Sequence, residues 1–226
     1  MKILITGINS GLGKFLHEKI PNSFGLNRDN FNSIQEQEYD VIVHCAFNKE
    51  NEISDYKKYV DDNIFLTQRL KKLKYQKFIY ISSVDVYNQN HTTYSLFKSL
   101  SESMMDKRDL ILRCPTLIGP TMKKNHIEKI KNNENITLSD KSSFHYVLME
   151  DILDFIMNFD IWNLTGKIDF VPNENVELTK VKKYFKSKSL FGDYIYHSNY
   201  EYKRPIFELF GKFNNSSLKN LKRYYG

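Results

Sequence analysis

Residues 2–16 read Lys2-Ile-Leu-Ile-Thr-Gly7-Ile-Asn-Ser-Gly11-Leu-Gly13-Lys-Phe-Leu, and no other stretch restricts the fold of this chain as strongly. The apolar run before Gly7 predicts a buried strand, and Leu12, Phe15 and Leu16 then recur at helical spacing, which predicts an amphipathic helix. Between them, glycines let the backbone turn sharply and approach a pyrophosphate. The charge of that group would meet the free N–H groups and positive dipole end of the helix. A purely structural glycine turn is the alternative. Its place at the opening of the sequence, as in a first Rossmann βα unit, favours the phosphate reading.

The pattern continues as alternating strand and helix. Short β-rich runs at 3–5, 41–46, 78–81 and 110–114 are separated by helical patterns such as Tyr56 to Leu73 and Tyr94 to Met105. Such alternation predicts an α/β fold, a doubly wound parallel sheet covered on both faces. Asn27 and Asp40 are too close for a full crossover helix, leaving room for a turn of helix around Phe31 to Gln37 and a sheet trimmed there. Beyond Gly119-Pro120, short elements at Phe144 to Val147, Asp151 to Phe159, Ile168 to Val171 and Leu178 to Phe185 predict a small α+β lobe. We therefore expect a Rossmann domain over residues 1–120 and a substrate-binding lobe over 121–226, interleaved with it. With 226 residues, 41% of them hydrophobic, the chain can bury one such core.

Cys45 and Cys114 each end an apolar run and read as buried reduced thiols, which points to the cytoplasm. No metal site is expected. No apolar stretch approaches the roughly 18 residues of a membrane span. The net charge of +6 is uneven: from Lys180 to Gly226 eleven Lys/Arg stand against three Asp/Glu, so this tail carries +8 and the rest −2. Such a tail could face nucleic acid, an acidic membrane or a nucleotide substrate, or be a solvated face.

Two further patterns carry chemistry. Tyr94 and Lys98 lie four residues apart on a predicted helix, hence on one face, where an ammonium would favour the phenolate of a residue whose pKa is ordinarily about 10. The run Ile81-Ser82-Ser83-Val-Asp85-Val-Tyr87 ends a buried strand with hydroxyls at the edge where α/β sheets bind ligands. Taken alone, those serines would more often be helix or turn caps. In a chain with fifteen tyrosines a lone Tyr/Lys pair would arise by chance.

Taken in order, TGINSGLG, DVIVHCAF, DNIFLTQRL, FIYISSVDVY, YSLFKSLSE, LRCPTLIGP and the late KRP and SSLKNLK resemble the extended short-chain dehydrogenase/reductase family of nucleotide-sugar epimerases, dehydratases and ketoreductases. The likeness is clearest over residues 1–120, and GLNRDNF followed almost at once by the DVIVHCA strand resembles the dTDP-4-dehydrorhamnose reductase branch. The resemblance implies that Gly7, Asn9, Ser10, Gly11, Leu12 and Gly13 form the pyrophosphate turn and that Ala46 walls the adenine side. It puts Asn63 on the helix behind the site. Ser83 would hydrogen-bond the substrate oxygen, with Tyr87 nearby, and Tyr94 would carry the proton. Lys98 would bind the nicotinamide ribose and tune Tyr94, while Pro115 and Thr116 would border the nicotinamide.

The implied protein is an NAD(P)-dependent reductase or epimerase of a nucleotide-linked sugar, with a homodimer possible and no nucleic-acid partner. The alternative is a non-catalytic dinucleotide-binding scaffold or redox sensor. Three features depart from the family pattern. The glycines follow TGxxxGxG rather than TGxxGxxG, only ten residues separate Ser83 from Tyr94, and Ser142 stands where many relatives carry an arginine for the diphosphate. With that arginine missing, Arg204 is the expected diphosphate anchor, a surface residue before a proline-started helix being the alternative. Arg28, just after the second strand, would pair with a 2′-phosphate, so NADP is expected ahead of NAD. Asp29 beside it argues the other way.

Overall fold

The computed structural model describes residues 1–30, 38–49, 55–88, 92–198 and 200–226. In chain order the first half runs β1 (Ile3–Thr6), α1 (Gly11–Lys19), β2 (Phe24–Leu26), β3 (Tyr39–His44), α2 (Tyr56–Val60), α3 (Leu66–Lys71), β4 (Tyr75–Ser83), α4 (Thr93–Glu102) and β5 (Leu110–Cys114). One π-helical turn, Asp61–Phe65, joins α2 to α3 without a break. The second half runs β6 (Thr116–Ile118), α5 (His126–Lys131), β7 (Ile136–Leu138), β8 (Ser143–Phe144), β9 (Tyr146–Leu148), α6 (Met149–Asn158), β10 (Gly166–Asp169), β11 (Val176–Glu177), α7 (Leu178–Phe185), β12 (Phe191–Tyr194), α8 (Ile206–Leu209) and α9 (Ser217–Tyr225).

Six strands form one parallel sheet in the order β10-β5-β4-β3-β1-β2. The apolar runs of β1 and β5 are buried throughout, as strands covered on both faces must be. Strand order reverses between β1 and β3, and the loops leaving their carboxyl ends open a crevice there, the usual ligand position in such sheets. Among the described residues β2 and β10 are the edge strands of this sheet. The expected turn around Phe31 to Gln37 lies outside the described residues.

The second half of the chain is tied into the sheet. β10 pairs with β5 through Ile168 and Leu112, and Phe155, Ile156, Phe170 and Phe213 join Phe15, Leu16 and Ile5 in one core. A separate cluster around Ile127, Ile130, Tyr146, Val181 and Leu221 supports α5, α7 and α9 beyond the sheet edge. Local chemistry starts the helices where they start: Asp55 caps α2, Thr92 caps α4 and Asn125 caps α5, each side chain accepting a first-turn N–H. Under the site lies a buried ion pair in which Glu102 accepts from Arg113 Nε at 2.9 Å and Nη2 at 2.6 Å, and from Ser82 Oγ at 2.6 Å. No helix among the described residues is long and apolar enough to cross a membrane.

Candidate functional site

The β1–α1 turn is built by its glycines. Gly7 has φ +76°, and a Cβ there would come within 2.9 Å of the Ala46 backbone, so only glycine lets the β1 and β3 loops approach this closely. At Gly13 a Cβ would fall 2.4 Å from the Thr6 carbonyl oxygen, which lets α1 start directly over the end of β1. Ser10 is the N-cap of α1 but its side chain makes no capping bond, and the first turn holds no acidic residue. The amide end of α1 is thus shaped to receive an anion. Gly11 is clasped from across the cleft: its N–H donates to the Thr121 carbonyl at 2.9 Å, and Thr121 Oγ1 donates to the Gly11 carbonyl at 2.7 Å.

A cleft of about 590 Å³ runs from this turn across the carboxyl edge of the sheet. Ser10, Gly11, Leu12, Gly13, Ser83, Tyr94, Lys98, Pro115 and Thr116 line it, so nine of the residues singled out from sequence meet in one space. Ser83 ends β4 and does cap the following turn, accepting the Asp85 N–H at 3.2 Å, and it lines the same cleft as Tyr94. Burial pushes the Tyr94 phenol above its usual range, outweighing the opposing effects of Lys49 and Ser83. Lys98 is buried on α4, donates to the Ile81 carbonyl at 2.7 Å, and lies 4.2 Å from the Phe47 ring centre. Burial, with Lys49 adding repulsion, lowers its pKa to about 7.

Lys49 lies 4.6 Å from the Tyr94 ring centre and is the charge acting most on that phenol, a role the sequence reading gave to Lys98 alone. The reason is spatial: Phe47 packs edge-on against Tyr94 and face-on to Lys98, while the loop after β3 carries Lys49 over the phenol. Asp85 was also missed as a site residue. One of its oxygens accepts from Ser83 Oγ at 3.2 Å and the other from Tyr196 Oη at 2.5 Å, which ties the second half of the chain to the carboxyl edge of the sheet. Asp85 lies inside the motif that drew attention to Ser83, whereas nothing local in the sequence marks Tyr196 or Lys49.

The remaining predicted residues stand behind the cleft. Asn9 accepts from Asn27 Nδ2 at 3.0 Å, and the Ala46 N–H donates to Thr6 Oγ1 at 2.9 Å, fixing the two loops that flank the crevice. Asn63 is buried in the π-helical turn and holds the β3 loop from below: its Oδ1 accepts the Asn48 N–H at 2.7 Å and its Nδ2 donates to the Asn48 carbonyl at 3.2 Å. Tyr87 donates to Asp169 at 2.9 Å and stacks on the Arg113 guanidinium, which turns it toward the sheet. Arg28 is ion-paired with Asp62. Arg204 points away from the cleft, because its backbone pairs with Asp169 while its Nη1 donates to the Thr165 carbonyl at 2.7 Å, beyond the opposite end of β10. Both cysteines are free thiols, and burial pushes Cys45 up to about 12.

No protein-family model matches this sequence, and no curated protein matches it. Solved structures do match in three dimensions, and the fold they share with this chain is the Rossmann-type doubly wound sheet. The chain superposes on dTDP-4-dehydrorhamnose reductase from Bacillus anthracis str. Ames in complex with NADP with a TM-score of 0.77, at 17% identity over 99% of this chain and 98% of that one. It superposes on UDP-glucuronic acid 4-epimerase from Bacillus cereus, in complex with UDP-glucuronic acid and NAD, with a TM-score of 0.70 at 17% identity over the whole of both chains. UDP-glucose 4-epimerase from Thermotoga maritima gives a TM-score of 0.72 at 14% identity, over 100% of this chain and 98% of that one. These likenesses establish the fold.

Proposed function

We propose that this protein is an NAD(P)-dependent oxidoreductase acting on a nucleotide-linked sugar, as a 4-ketoreductase or an epimerase. The observation that carries the reading is the meeting, in one cleft, of an anion-ready helix end with the Ser83 and Tyr94 hydroxyls and the buried Lys98. The glycine turn fits a dinucleotide, since Gly7 and Gly13 let β1, α1 and the loop after β3 pack closely enough to bring the α1 amide end to the cleft. Residues 10–13 would hold its pyrophosphate, Lys98 its ribose, and Pro115 and Thr116 would border its nicotinamide. When bound, such a cofactor supplies or accepts hydride. In this reading residues 1–120 serve the cofactor and 121–226 the substrate.

The chain's own groups divide the rest of the work. Tyr94, held in its protonated form by burial, is poised to give its proton to a substrate oxygen. The Ser83 hydroxyl would turn from Asp85 to donate to the same oxygen and steady its developing charge. Lys49, Lys123 and Lys124 line the cleft and offer cations to a diphosphate, a role that Arg204 does not reach to fill.

The test is Tyr94→Phe with nucleotide sugars, following cofactor absorbance. Turnover should fall at least a hundredfold, the usual range for a lost general acid, while the dissociation constant for the dinucleotide changes less than threefold. Wild-type turnover in the variant would remove Tyr94 from the mechanism. Dinucleotide binding with no turnover on any carbonyl or sugar substrate would leave a binding scaffold instead.

A further inference from the structure

The loop that follows β2 is fixed against the glycine turn. The Gly7 N–H donates to the Leu26 carbonyl at 3.0 Å, and Asn27 Nδ2 donates to Asn9 Oδ1 at 3.0 Å. Asn27 Oδ1 in turn accepts the N–H groups of Asp29 at 2.9 Å and Asn30 at 3.1 Å, so the loop is a rigid turn. Arg28 therefore lies on the loop beside the glycine turn, on the side where a dinucleotide held by α1 would present its ribose hydroxyls or a 2′-phosphate.

The Arg28 guanidinium is already engaged. Its Nη2 donates to Asp62 Oδ2 at 2.6 Å. Asp62 is held in turn, since the same oxygen accepts from Asn48 Nδ2 at 3.0 Å and the Asn48 backbone is gripped by Asn63 on both its N–H and its carbonyl. The two partners differ in freedom: 62% of the Arg28 side chain is exposed against 19% of Asp62. The carboxylate is the fixed half of the pair.

We propose that Asp62 sets the choice between NAD(H) and NADP(H), by acting as a counter-charge that withholds Arg28 from a 2′-phosphate. The proposal rests on the reading of the cleft as a dinucleotide site. A phosphate monoester carries about −1.5 to −2 charges at neutral pH and gains most from a guanidinium that can turn two N–H groups toward it. Here it meets a neutral pair and, beside the guanidinium, a carboxylate that repels it. A ribose diol instead offers hydroxyl donors to that carboxylate. The NADP preference expected from Arg28 alone is accordingly cancelled, and the wild-type chain binds NADH at least as tightly as NADPH.

Calorimetric titration of the full chain with NADH and NADPH tests this, using Asp62→Asn, Arg28→Ala and the double variant. Asp62→Asn should tighten NADPH at least fivefold without tightening NADH, and the double variant should lose that gain. Arg28→Ala alone should not tighten NADPH, because it leaves the Asp62 carboxylate uncompensated beside the 2′-phosphate. A ratio of the two affinities left within twofold of wild type by Asp62→Asn, or tighter NADPH binding in Arg28→Ala, overturns the role given to Asp62 while leaving the dinucleotide reading intact. Binding of neither cofactor to the wild-type chain overturns both.

Discussion

Lys98→Met should make the free protein more stable while destroying its activity. The amine is buried on α4, and its pKa lies at about 7 against an ordinary 10.5, chiefly because burial disfavours the cation and Lys49 adds repulsion. In the unfolded chain the same lysine keeps its proton to about 10.4. Between these two pH values the unfolded chain binds more protons than the folded one, so stability rises with pH across that window, and the cost of Lys98 is greatest below it. At about 1.4 kcal/mol per tenfold change in acidity, the gap sets an upper bound near 5 kcal/mol. Methionine removes that cost but leaves the Ile81 carbonyl without its donor, worth about 1–3 kcal/mol. A net gain of about 2–3 kcal/mol at pH 6.5 follows, which for a chain of this size is a rise in Tm of roughly 5–10 °C. Thermal melts of both proteins, without cofactor, from pH 6 to 10 are the assay, and the gap between the curves should close as the pH nears 10. A variant less stable than wild type at pH 6.5, or a gap that does not depend on pH, would refute the reasoning.

Three more outcomes are expected. Glu102→Gln leaves the Arg113 guanidinium buried without its counter-ion and should cost about 3–5 kcal/mol in denaturant melts; in wild type the pairing that lowers the Glu102 pKa is present above the ordinary carboxylate range and is lost as pH falls through the lowered value. Gly13→Ala should abolish dinucleotide binding, since its Cβ would sit 2.4 Å from a backbone oxygen, whereas Gly11→Ala meets no atom within 4 Å and should cost only the roughly 1–2 kcal/mol of a left-handed φ of +62°; equal binding losses in the two variants would contradict this. Cys45 and Cys114 should resist iodoacetamide at pH 8 until the protein is denatured, read by mass, because burial holds both thiols far from ionisation.

The layered α/β fold was legible in the sequence because its signals are local: apolar runs of strand length with helical spacing between them. The glycine turn was legible through its spacing after an apolar run, although the requirement for Gly7 is imposed by the Ala46 backbone across the crevice. Ser83, Tyr94 and Lys98 stood out through short-range order, and the sheet then delivered them to one edge. Lys49 and Asp62 could not be found this way. Lys49 reaches Tyr94 only because Asn63 pins the loop after β3, and Asp62 matters only because it faces Arg28 from a helix 34 residues away. Arg204 shows the converse: its sequence neighbourhood suggested an anchor for the substrate, but pairing of its backbone along β10 turned the guanidinium elsewhere. The sequence by itself determined which elements form and which residue types lie at their ends. Which charge meets which was decided by tertiary packing, because electrostatic effects depend on distance and burial, and neither is written in the spacing of residues along a chain.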